Sequence, residues 1–161
     1  MEKKYFFFDI DGTLTDRKTR KIVPSAQKAL KELIDNGHFV AIATGRAHYK
    51  ARSFMEEVGL HNMVCCGGGG LVINDELLVN TPLELEKAIA ICKQAEALGY
   101  GILLQLDDSI DVYAKNDLFI KQVGERQEPT RYFYDGSLDY NTLEKIFKIY
   151  ISIPQEKEDE L

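Results

Sequence analysis

The sequence has no excess of positive charge, no cysteine framework, no long apolar run and no internal repeat, and each absence removes a class of function. Twenty basic residues stand against 26 acidic ones, for a formal net charge of −6. The chain therefore lacks the cationic balance with which proteins grip a phosphate backbone, and a small ligand is expected in place of nucleic acid. Its three cysteines are odd in number. Two of them, Cys65 and Cys66, are neighbours that could bridge only under strain, which excludes a disulfide framework and predicts reduced, cytoplasmic surroundings. The opening MEKKYFFFDIDG carries a basic pair, but its apolar run meets Asp9 too soon for a signal peptide or a membrane span. Without a signal peptide, the EDEL at the end gains no support as a retention tail.

What is present is a globular composition: 45% hydrophobic and 29% charged residues in a chain of 161, enough for one domain or one domain and part of another. YFFF at positions 5–8 shows no polar alternation, the pattern of a strand buried on both faces as in a parallel sheet. VPSAQKALKELIDNGH then sets Ala26, Ala29, Leu30, Leu33 and Ile34 at helical spacing, with Pro24 near the start and Gly37 after the end. FVAIATGR reads as a second buried strand, so strand, helix and strand make a crossover unit with parallel strands. A helix over about 47–58, closed by Gly59, leads into a third strand at MVCC and then into the glycines at 67–70. LVINDELLVN predicts a hairpin turning at Asn74 and Asp75. Near residue 81 the organisation changes. Pro82 opens a helix in LELEKAIAICKQAEALG, YGILLQLDD and DVYAK suggest antiparallel strands, NDLFIKQVGER a short helix and IFKIYISIP a further strand, the pattern of a small α+β module.

Ligands of open α/β sheets bind beyond the carboxyl ends of the strands. Here the first strand runs into Asp9, Asp11 and Thr13, and the second into Thr44, Gly45 and Arg46, so both motifs face one crevice. Two acids this close raise the proton affinity of one unless a cation neutralises them, which calls for Mg²⁺ or for a carboxyl held protonated. Such a pair can supply a nucleophile and an acid for phosphoryl transfer. Thr44 and the backbone N–H groups at the start of the following helix could hold phosphoryl oxygens. Taken alone, an Asp-x-Asp after an apolar strand also fits a solvated Asx turn.

The longer strings go further. DIDGTLTD after an apolar strand, followed about thirty residues later by AIATGR at the next strand end, closely resembles motifs one and two of the haloacid dehalogenase superfamily of phosphatases and phosphomutases. The resemblance implies Asp9 as nucleophile and Mg²⁺ ligand, and Asp11 as general acid/base that also binds the metal through its backbone carbonyl. It implies Thr13 as an orienting hydroxyl, Thr44 as the phosphate-binding hydroxyl and Gly45 as a backbone N–H donor. Arg46 in TGR is typical of the Cof-type branch, where it implies either substrate binding or loop structure. That branch joins a Rossmann-like parallel-sheet core, expected over 1–81, to an inserted α+β cap of class IIB, expected over 82–161 and choosing the substrate. Its usual Asn-Gly after the third strand is replaced here by CCGGGG, with Gly68 at the Asn position. The motif-three lysine and the motif-four acidic pair are absent from the 161 residues. The expectation is a chain that ends inside the cap, the front part of a protein of roughly 250 to 300 residues.

The function implied is Mg²⁺-dependent hydrolysis of a small phosphorylated metabolite, such as a sugar phosphate, through an aspartyl-phosphate. A phosphomutase of the same superfamily is the alternative, or a non-catalytic phosphate-binding protein if the natural chain stops at Leu161. The remaining polar features read as structural. His38, His48 and His61 are scattered surface positions, Cys65 and Cys66 packing residues, the glycine run a hinge or tight turn, Asp107, Asp108 and Asp111 solvated turn acids, and EKEDE a solvated helix start.

Overall fold

In the computed structural model, which describes residues 2–153, the chain divides into two compact units, Met1–Thr81 and Pro82–Leu161. The first contains β1 (Tyr5–Phe8), α1 (Pro24–Asp35), β2 (Phe39–Ala43), α2 (His48–Glu57), β3 (Met63–Cys65), β4 (Gly70–Ile73) and β5 (Glu76–Asn80). These strands form one sheet in the order β1-β2-β3-β4-β5. The pairs β1–β2 and β2–β3 are parallel, each joined through a helix, and β3–β4 and β4–β5 are antiparallel.

Local chemistry sets the element ends. Pro24 occupies the first turn of α1, where no intrahelical N–H is needed. Asn74 and Asp75 both take positive φ, 49° and 68°, the conformation a two-residue hairpin turn requires. The core is built from Leu30 of α1, Phe54 and Met55 of α2 and Ile42 and Met63 of the central strands. Each such side chain taken out of water contributes about 1.5–3 kcal/mol.

The two-sided burial expected of β1 is not seen among the described residues. Among the described strands β1 is an edge strand, and Tyr5 and Phe7 are 64% and 54% exposed. Phe8 packs on the helix-covered core, whereas Tyr5 and Phe7 meet Phe39 on the other face.

The second unit contains α3 (Leu85–Ala97), β6 (Ile102–Gln105), β7 (Asp111–Ala114), α4 (Leu118–Val123), β8 (Arg131–Tyr134) and β9 (Lys148–Ile151). Its sheet order is β8-β7-β6-β9, with β6 antiparallel to β7 and β9 and β7 parallel to β8. Alternation along β6 sends Ile102 and Leu104 into one cluster with Ala88, Cys92 and Ala95 of α3. Leu103 enters another with Val112 and Phe119. Two differences from the sequence reading stand out. β8 has no counterpart in it, and Asp111 is no turn acid: it lies in β7, 7% exposed, with its carboxylate held by Arg131 of β8 through Nε (2.8 Å) and Nη2 (2.7 Å). The hydrogen bonds from Arg131 hold the Asp111 carboxyl below the usual carboxylate value. α3 also begins three residues after Pro82. EKEDE lies outside the described residues.

Candidate active site

The first strand and its turn are rooted by a residue that carries no chemistry. Ile10 is fully buried, and its carbonyl accepts the N–H groups of Thr13 (3.4 Å), Leu14 (3.2 Å) and Thr15 (3.0 Å). It also accepts the Thr15 hydroxyl at 2.9 Å. Gly12, at φ 81°, takes the left-handed conformation that closes the turn and favours glycine. With Ile10 pointing inward, its neighbours Asp9 and Asp11 are both solvent-exposed. Thr13 stands exposed as well, and the hydroxyl that braces the turn is that of Thr15, 5% exposed. Sequence reasoning missed Thr15; its only signal is the second threonine in GTLT.

The second strand brings Thr44 alongside. Phe8 pairs with Ile42 in parallel register, so the chain leaves β1 and β2 at the same edge of the sheet. Thr44 is 7% exposed and is held on three sides. Its N–H donates to Val64 O at 2.9 Å, its carbonyl accepts from Gly67 N at 3.3 Å, and its Oγ1 accepts the Arg46 N–H at 3.1 Å. Arg46 O in turn accepts the Cys66 N–H at 2.8 Å. The exits of β2 and β3 are stitched together by these bonds, with Gly45 exposed between them and open space where a Cβ would stand.

Arg46 also joins the two motifs. Its Nε donates to Asp11 Oδ2 at 2.9 Å and its Nη2 donates to Asp11 Oδ1, a fork on a carboxylate. These hydrogen bonds hold the Asp11 carboxyl below its usual value; burial opposes them, and the charges of Arg46, Lys50 and Arg20, each a smaller effect than burial, act with the hydrogen bonds. Arg20 and Lys50 carry no motif signal in the sequence. Their charges and that of Arg46 all favour the ionised Asp11 carboxylate.

Residues 6–161 match the family of haloacid dehalogenase-like hydrolases. The chain belongs to this family. Among its relatives is YkrA of Bacillus subtilis, provisionally named a phosphatase, 27% identical over 163 residues that cover 98% of this chain and 60% of YkrA. A hypothetical protein of Geobacillus kaustophilus HTA426 superposes with a TM-score of 0.70 at 25% identity, over 99% of this chain and 61% of that one. The HAD subclass IIB sugar phosphatase BT4131 shares the fold, with a TM-score of 0.71 at 21% identity over 99% of this chain and 62% of its own. The chain thus spans about 60% of the length of each of these three relatives.

In this member of the family the other polar candidates behave as structure. His61 pairs with Asp75 at 2.7 Å, and His38 Nδ1 accepts the Lys4 N–H at 3.3 Å. Cys65 is buried and Cys66 partly so, their sulfurs 3.9 Å apart. The glycine run makes a tight turn, with Gly67 and Gly68 at φ 64° and 103°. The oxygens of Asp9 and Asp11 are hard donors of the kind Mg²⁺ takes. Among the described residues no three His, Cys, Asp or Glu side chains converge, so the two acids fit as part of a ligand set.

Proposed function

We propose that a protein of the relatives' length carrying this chain is a cytoplasmic, Mg²⁺-dependent phosphatase of the Cof-type branch, acting on a small phosphorylated metabolite such as a sugar phosphate. The observation that supports this reading best is the exit of two parallel strands at one sheet edge, with Asp9 and Asp11 following the first strand and Thr44 and Gly45 the second. The relatives named as phosphatases support the same reading. The unit Pro82–Leu161 is read as the cap that selects substrate.

In this mechanism the Thr44 hydroxyl and the Gly45 N–H bind the phosphoryl oxygens, with Thr13 beside them. Asp9 attacks phosphorus and becomes an aspartyl-phosphate. Asp11 delivers a proton to the departing oxygen and afterwards takes one from the water that hydrolyses the intermediate. Asp9 and the Asp11 carbonyl would hold Mg²⁺, which would neutralise the phosphoryl oxygens when bound. The activity is proposed of a protein of the relatives' length, of which this chain spans about 60%.

Asp9→Asn keeps the side-chain shape and removes the nucleophile. Turnover of a panel of phosphate monoesters should fall at least about 10⁴-fold, with an unchanged circular dichroism spectrum. Wild-type activity in the folded variant would reject the mechanism.

A further inference from the structure

We propose that Arg46 is a positioning residue that sets the direction of the Asp11 carboxylate and is not a ligand of the phosphoryl group. The inference deepens the phosphatase reading and rests on it. Three observations carry it. First, both Asp11 oxygens are engaged by Arg46, through Nε and Nη2, so rotation of the carboxylate about its last bond is arrested. Second, Arg46 is the anchored partner. Its side chain is 22% exposed against 59% for Asp11, and its backbone is fixed at both ends, by the Thr44 hydroxyl at 3.1 Å and by the Cys66 N–H at 2.8 Å. Third, the Nε–Nη2 edge of the guanidinium faces Asp11, which leaves only the Nη1–Nη2 end for any other anion. An exposed carboxylate on a turn would otherwise sample several rotamers, and an acid aimed wrongly loses most of its catalytic effect.

A phosphate ligand and a positioning residue leave opposite kinetic marks. On the full-length protein, with p-nitrophenyl phosphate as substrate and inorganic phosphate as competitor, Arg46→Lys keeps the charge and loses the fork. The expected result is a fall in kcat of about 10²-fold, with KM and the inhibition constant for phosphate changed by less than about threefold. In an Asp11→Asn background the same substitution should add almost nothing, since Arg46 acts only through Asp11. A rise in KM and in the phosphate inhibition constant of about tenfold or more with kcat retained would overturn the inference. So would effects of Arg46→Lys and Asp11→Asn that simply multiply. A readout independent of activity separates this from failure of the phosphatase reading itself. The Arg46 Nε–H resonance should be protected from exchange in the wild type and lose that protection in Asp11→Ala. If no monoester is hydrolysed, the phosphatase reading falls; an Arg46 resonance indifferent to Asp11→Ala overturns the positioning role.

Discussion

Thr44 owes its place to an oxygen as much as to its volume. Its Oγ1 accepts the Arg46 N–H in a position 7% exposed, so Thr44→Val keeps the shape and strands a donor. The expected cost is about 1–3 kcal/mol of stability, read by urea unfolding, and Thr44→Ser should recover most of it; equal stability of the Val variant would refute the role. In the second unit, burial first and the charge of Glu96 next push the Cys92 thiol from 9.0 up to about 11. Burial likewise pushes the Tyr140 hydroxyl from 10.0 up to about 12, helped by Glu96. Both raised values favour the protonated forms in the folded state. The stability they contribute is complete below about pH 9 and is lost as pH rises from there to about 12, because the unfolded groups ionise first. Melting temperatures measured from neutral to strongly alkaline pH should fall across that window, and Tyr140→Phe should make the fall shallower. A flat profile would contradict the burial of both groups.

Among elements, the crowded crossings are the most sensitive. Gly101, at the entry to β6, passes so close to α4 that a Cβ there would stand 2.1 Å from Phe119 N and 2.3 Å from its Cα. Backbone cannot yield as a side-chain tip can, so Gly101→Ala should cost more than about 4 kcal/mol, visible as loss of soluble or cooperatively folding protein. At Gly70 the obstacle is the Cys65 sulfur, 2.4 Å from where the methyl of an alanine would stand, so Gly70→Ala should be rescued in part by Cys65→Ala. The legibility of each element follows its punctuation. α1, with Pro24 and Gly37 at its ends, and the hairpin at Asn74 and Asp75 are readable. β8 is not, because RYFY lacks alternation and its partner lies twenty residues back, at Asp111. The same long-range pairing moves Asp111 from an expected turn into a strand, where its buried carboxylate meets the exposed Arg131.

At the scale of the whole chain, family membership is visible in two short strings, DIDGTLTD and AIATGR, and the match over residues 6–161 bears it out. What those strings cannot reveal is the fork between Arg46 and Asp11, since no spacing rule links residues thirty-five apart in the loops that follow two different strands. Nor can they reveal Thr15 as the brace of the turn. The structure adds a physical reason for the glycine after the acids, at φ 81°, and for the isoleucine between them, which must be buried for its neighbours to face outward. The division at Thr81 and Pro82 makes substrate choice separable from chemistry in the proposed enzyme: exchanging the second unit for that of a relative should change the preferred monoester while leaving the dependence on Asp9 intact. The central claim is that Asp9 takes the phosphoryl group. Its most direct test is mass spectrometry of the full-length Asp11→Asn variant, quenched in acid during reaction with a phosphate monoester, since loss of the base slows hydrolysis of the intermediate. A phosphoryl adduct is predicted on the peptide containing Asp9, absent when Asp9→Asn is added. Turnover by the wild type with no adduct at Asp9, or with the adduct on another residue, would contradict it.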